Sequence, residues 1–353
     1  MTQETIPNYE LLEKQLDDLK AKTIAKVGQE DANYIKKVII CQRIFEWSGR
    51  VLLMLGFITP VLWVVGVLSL AIAKILDNME IGHNVMHGQY DWMNDKNINS
   101  KVYEWDIACD GSSWNRVHNY EHHTYTNIIG KDRDFGYGLL RLSNDFKWRV
   151  KNLWQFATYL VLSIFFQWGI AYHELAAERV FFGKKKENRE HNVSHRELKK
   201  RFFGKGAKQL VKDYLFFPLL AGPMFLWVLA GNFCANILRN LWTSTIIFCG
   251  HFTGDVKTFT QEECKNESKG QWYYRQALGS SNIQGGNLFH VLTGHLSFQI
   301  EHHLFPDMPA KRYRDISPEV KSIFQHHGIN YNTGSFTSQY FSVLKRIVRY
   351  SFP

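Results

Sequence analysis

Residues 83–87 (HNVMH), 118–123 (HNYEHH) and 299–303 (QIEHH) gather seven histidines into three clusters spread along most of the chain. Each imidazole carries two nitrogens that need partners once buried, so the clusters can be buried only if something occupies those nitrogens. His83 and His87 stand four apart and share one face of a helix. His118 and His122 repeat that spacing, with His123 about 100° further round. In the last cluster Gln299 and His302 are three apart, and His295 lies a further turn back on the same face. Clusters that must meet at one place constrain the path of all the chain between them.

Much of that intervening chain is apolar. The stretch from Val38 to Ile81 is broken by Pro60 and is long enough for two crossings of a bilayer at roughly 20 residues each. A second apolar block covers 154–172, and a third runs from Tyr214 to Gly250 with Pro218, Pro223 and Gly231 inside it. Between them, 173–213 holds twelve Lys and Arg, including Lys184 to Lys186, which the positive-inside rule assigns to the cytoplasm. If the histidine clusters share a side, an even number of crossings separates them. The third block then becomes a second hairpin, and 154–172 an interfacial or re-entrant helix.

The expected fold is therefore an all-α integral membrane protein with two transmembrane hairpins and a cytosolic helical cap holding the metal site. Its four spans fall at about 38–59, 61–81, 214–231 and 233–250, within a membrane domain covering 38–330. Residues 1–37 form a cytosolic N-terminal extension in which Leu12, Leu16 and Leu19 mark a helix packed on the main domain. Residues 331–353 form a cytosolic C-terminal tail. The N-terminus is polar and acidic, unlike a cleavable signal.

Seven histidines exceed the needs of one tetrahedral zinc and suit two metals with imidazole ligands and open positions for oxygen. His251 follows the third apolar block, where the chain re-emerges on the cluster side, and is an eighth candidate; His295 is a further one, and His290 a weaker one. His191, His195, His326 and His327 stand in charged segments and are not expected to be ligands. Asp91, Asp95, Asp106, Glu121, Asp132, Asp134 and Glu301 are available to hold outer imidazole nitrogens. The nearest approach to a zinc-protease HExxH is His173-Glu174-Leu175-Ala176-Ala177, which lacks the second histidine. The five cysteines contain no CxxC and no ferredoxin spacing. A net charge of +9 suits anionic lipid or a phosphate-bearing substrate; no nucleic-acid motif accompanies it.

The boxes HxxxH, HxxxHH and QxxHH, with NVMHGQYDWMND, HHTYTNIIGKDRDFGYG, IFCGHF, KGQWYYRQALGSSN and QIEHHLFPDMP around them, resemble the integral-membrane fatty acid desaturase family. The text is closest to the bacterial acyl-CoA Δ9 (stearoyl-CoA-type) branch, and the resemblance covers about 40 to 330. It implies a di-iron centre held by His83, His87, His118, His122, His123, His302 and His303, with His251 as the additional histidine. It also implies dioxygen as co-substrate, a long-chain acyl-CoA or acyl-lipid substrate receiving a cis double bond, and a bacterial cytoplasmic (inner) membrane with the site facing the cytoplasm. Gln299 departs from the Δ9 pattern, where histidine is common, and is typical of front-end (Δ5/Δ6) desaturases; those usually carry a fused cytochrome b5 with an HPGG motif, which is absent here.

With no haem motif, iron–sulfur spacing or GxGxxG, the chain needs electrons from NAD(P)H delivered through a separate ferredoxin-like protein and reductase. Lys184 to Lys186, Lys311 and Arg312 are candidates to meet an acidic donor or the phosphates of coenzyme A. A membrane di-iron hydroxylase shares the ligand types. A metal transporter would place its ligands inside the spans.

Overall fold

Helices carry most of the chain in the computed structural model, which describes residues 7–183 and 193–353; Lys184 to Lys186 and His191 lie outside the described residues. The first apolar stretch is a helical hairpin. Its first helix, Gln29–Met54, ends in a 3₁₀ turn, Leu55–Phe57. Thr59 then caps the second by accepting from the Val61 amide, and Pro60 takes the first helical position, where a missing N–H costs nothing. Pro60–Met86 is the one straight helix among the described residues that is both long and apolar enough to cross a membrane.

The third apolar block differs from the sequence expectation in where it breaks. Helix His195–Val211 passes through a π-helical turn, Lys212–Phe216, and ends after Phe217–Leu220. The turn falls at 221–224, where Gly222 has φ +55° and Pro223 follows, and Phe225–His251 then runs unbroken through Gly231. Gly231 is not a breaker but a place of close approach: a Cβ there would stand 2.4 Å from Leu53 Cδ2. A Cβ on Gly66 would likewise stand 2.8 Å from the Leu53 amide. Small residues let these helices pack closely, as in membrane helix pairs.

The block at 154–172 is two helices, Val150–Ile164 and Phe166–Glu174, meeting at 96°. Asn240 donates to the Ile164 carbonyl at 2.8 Å and so satisfies a backbone group exposed at the bend.

Neither terminal region is a separate appendage. The helix Tyr9–Ile24 buries Leu12, Leu16 and Leu19 in one apolar cluster with Tyr273, Ile300, Leu304 and Tyr313, directly behind the third histidine box. The first hairpin helix begins at Gln29, inside what the sequence suggested was an extension ending at 37. Likewise 333–335 pairs in parallel with 282–284, and Arg346 on helix Phe336–Arg349 donates to the carbonyls of Leu142, Thr253 and Val256. Lys311 is paired with Glu30, and Arg312 holds Asp31 at 2.8 Å, so both cations tie the turn after the third box to the start of the first hairpin helix. Leu16 is fully buried. Leu16→Ala should cost about 2–5 kcal/mol and lower the thermal unfolding midpoint in detergent; an unchanged midpoint would mean that this helix contributes little.

Candidate metal centre

Two of the three boxes stand on π-helical turns, Leu76–His83 and Asn115–His122. Bonding from i to i+5 widens the turn and narrows the angle between residues five apart. His123 follows the second of these turns at the start of the short helix His123–Tyr125, with its ring centroid 5.1 Å from that of His118 and 5.5 Å from that of His122. His302 and His303 come from the short helix Gln299–Leu304, and His251 ends Phe225–His251.

All seven boxed histidines and His251 converge. Ligand atoms of His83, His87, His118 and His302 lie within 4.8 Å of one another, as do those of His122, His251 and His303, with His123 bridging to His302 and His303. The arrangement is two adjoining nests of imidazoles. Ring centroids of His87 and His302 are 4.7 Å apart, His122 and His251 4.7 Å, and His123 and His303 4.5 Å. The Nε2 atoms of His87, His118, His122, His123 and His302 are buried without a hydrogen-bond partner.

Outer nitrogens of four of the site's rings are held. His122 Nδ1 is 3.0 Å from Asp132, His118 Nδ1 3.1 Å from Asp134, His303 Nδ1 2.9 Å from Gln276 Oε1, and His83 Nδ1 3.1 Å from Asn84 Oδ1. Burial, reinforced by neighbouring imidazoles, pushes His87, His123, His302 and His303 well below the usual histidine range. His118, His122 and His302, held at Nδ1 and unpartnered at Nε2, together with His123, unpartnered at both ring nitrogens, make a donor set of the kind that a pair of imidazole-bound metal ions requires. The residues fit such a pair.

The remaining candidates fall elsewhere. His295 has a left-handed backbone (φ +57°) that interrupts the helical register assumed for it, and its Nδ1 meets Glu80 at 2.9 Å beside Tyr34. His290 is bound to Ser297. Gln299 does enter the site, 2.9 Å from His251 Nε2, with its Oε1 unpartnered. Glu301 points away and accepts from Asn282 and Tyr331; burial pushes its carboxyl up to about 7. Asp91 holds Ser100, Asp95 caps its own loop, and Asp106 pairs with Lys212. Gln276 and Tyr313 escaped the sequence reading because single polar residues outside the boxes carry no local signal, and Asn84, inside the first box, because only the histidines of that box carry a pattern. His173 and Glu174, set aside for want of a second histidine, do lie beside the centre, and His173 Nε2 is 3.1 Å from Asp134.

Next to the imidazoles is a small pocket. His83, His118, His122 and His251 form one wall. Trp105, Trp114, Tyr137, Ile170, Ile247 and Phe252 provide apolar surface around it, and Thr243, Asn78 and Glu174 are among its few polar groups.

The family model for fatty acid desaturase matches residues 58–335. An NADPH-dependent stearoyl-CoA 9-desaturase of Mycobacterium tuberculosis is 40% identical over 99% of this chain and 81% of its own length. An sn-1 linoleoyl-lipid 6-desaturase of Synechocystis sp. is 26% identical over 84% of this chain and 82% of its own length. An acyl-lipid 8-desaturase of Rebecca salina is 38% identical over 31% of this chain and 25% of its own length.

Proposed function

The chain belongs to the fatty acid desaturase family, and we propose that it places a cis double bond at C9 of a long-chain acyl-CoA, using two irons held by His83, His87, His118, His122, His123, His251, His302 and His303. The observation that carries this reading is the set of buried, unpartnered imidazole nitrogens facing one another across two nests beside an apolar cavity. When bound, iron would supply from dioxygen the oxidising power that a methylene C–H demands. The chain's own work is positioning. Asp132, Asp134 and Gln276 fix ring orientation, and a narrow apolar tunnel, bent beside the imidazoles, would place one C–C bond of the acyl chain there and keep bulk water from the reacting carbons. The substrate and position rest on the mycobacterial relative, whose identity covers nearly the whole chain, although Gln299 is the residue expected of a front-end enzyme.

The four-crossing topology belongs to the same reading. Ile40, Ile44 and Val51 on the first helix, Val61, Val65 and Leu68 on the second, Leu215 and Leu219 before the second turn, and Leu226 and Phe233 after it are all exposed. An apolar band around two hairpins suits lipid. The 96° bend supports a re-entrant 150–174 segment that dips from the cytoplasmic face of the membrane, and the cap then lies on that side.

Reconstitution with stearoyl-CoA and NADPH should yield no product until a reductase and an iron–sulfur carrier are added, because the sequence holds no redox motif beyond the histidines. Mass spectrometry should then locate the bond at C9. Sustained turnover without donor proteins would refute the external-donor reading. A C6 bond or a hydroxylated acyl chain would favour the front-end or hydroxylase alternative.

A further inference from the structure

Each desaturation consumes protons as well as electrons. The balance is –CH₂–CH₂– + O₂ + 2 e⁻ + 2 H⁺ giving –CH=CH– + 2 H₂O, with the electrons coming from a reduced iron–sulfur or flavin protein. The protons must reach a cavity whose walls are largely apolar. Two carboxyl groups line it, Asp134 and Glu174.

These two differ in what they hold. Asp134 is committed on both oxygens, to His118 Nδ1 and to His173 Nε2, each at 3.1 Å. It is a positioning residue. Glu174 is 1% exposed, and its Oε2 is buried with no hydrogen-bond partner. A lone buried carboxylate oxygen would be costly, whereas a neutral carboxyl can exist there with its proton available. Burial, reinforced by the negative charge of Asp134, pushes this group well above the ordinary carboxylate range.

Two polar side chains adjoin it. Ligand atoms of Asp134, His173 and Glu174 lie within 4.8 Å of one another. His173 is the most exposed of the three, with a tenth of its side chain open to solvent, and Arg133 donates to its carbonyl at 2.7 Å. Apart from the metal-facing rings, the cavity's other polar side chains are amides, a hydroxyl, indole N–H groups and the phenol of Tyr137; none is an acid of carboxyl strength.

We propose that Glu174 is the acid that delivers protons to the oxygen being reduced in the cavity, and that His173 reloads it from the cytosolic side. In each transfer the Glu174 O–H bond breaks and a new O–H bond forms on that oxygen; the carboxylate then takes a proton relayed through His173. Two such transfers complete one turnover. The assignment rests on the desaturase reading and adds to it the source of the protons.

The test compares wild type, Glu174→Gln and Glu174→Asp in the reconstituted system and as metal-free protein. Glu174→Gln keeps size and polarity but has no acidic proton. It should retain wild-type iron content, lose about 100-fold in rate, and release hydrogen peroxide from the dioxygen it consumes, whereas Glu174→Asp should restore most of the product. In the metal-free protein, the infrared difference spectrum between wild type and Glu174→Gln should contain the C=O band of a protonated carboxyl. Normal coupling of NADPH to product in Glu174→Gln would overturn the proposal. So would absence of the infrared band, or loss of iron in proportion to activity, which would make Glu174 a ligand. The infrared and iron readouts need no acyl substrate, so they separate failure of this assignment from failure of the substrate reading.

Discussion

On the di-iron reading, His302→Ala is expected to abolish desaturation and leave the purified protein with fewer than two irons. His302 is completely buried and is the one residue shared between the nest of His83, His87 and His118 and the group formed with His123 and His303. Its Nδ1 is 3.4 Å from the Tyr313 hydroxyl, while its Nε2 is among the orphaned nitrogens. Losing an outer-shell partner typically costs 10–100-fold in metal affinity or activity, so removing a ring of the first nest that also belongs to the group with His123 and His303 should cost at least that much. Iron content by mass spectrometry and the fatty acid profile of expressing cells give the two readouts. Two irons per chain in the variant, or an unchanged profile, would contradict the shared-centre reading. His302 stands on the short helix Gln299–Leu304, outside the apolar hairpin helices, so the variant should still insert in the membrane.

The histidine boxes are legible in sequence because each is a local pattern with chemistry of its own, and His251 because a crossing count puts the end of a hairpin beside them. The details that set the geometry are less legible. Nothing in HNYEHH announces that 115–122 is π-helical or that His123 opens a new helical turn beyond it. His295 looks like part of the third box only if the helix runs back from Gln299, and its left-handed backbone interrupts that register. Lys311 and Arg312 read as free cations for a partner because their counter-ions, Glu30 and Asp31, stand about 280 positions away. Gly231 reads as a breaker because the sequence does not reveal that Leu53 will occupy the space above it. In each case the missing information is a contact between distant segments, and pattern reading has no access to it.

The same limit hides the feature that joins the two hairpins, and it leads to the second large effect: Asp213→Ala should prevent the folded protein from accumulating. Asp213 lies in the π-helical turn Lys212–Phe216 and its side chain is 2% exposed. One oxygen pairs with Arg50 on the first helix at 2.9 Å; the other pairs with Lys74 on the second at 2.7 Å and accepts from Asn236 on the fourth at 3.0 Å. Arg50 also reaches Asn232 at 2.7 Å, and Asn232 donates to the Asp213 carbonyl. One carboxylate thus ties all four hairpin helices together. Removing it leaves two buried cations without their shared counter-ion, and breaking a buried pair from one side costs about 3–5 kcal/mol, a large share of the 5–15 kcal/mol by which a typical protein is stable. Since the cost comes from the stranded charges and not from lost packing alone, the triple replacement Arg50→Leu, Lys74→Met, Asp213→Leu should recover much of the stability that Asp213→Ala loses. Yield from detergent extracts and thermal unfolding of the three proteins decide the matter. If Asp213→Ala matches wild type in both, the cluster does not hold the hairpins together; if the triple variant is as poor as the single one, packing and not charge is what Asp213 supplies.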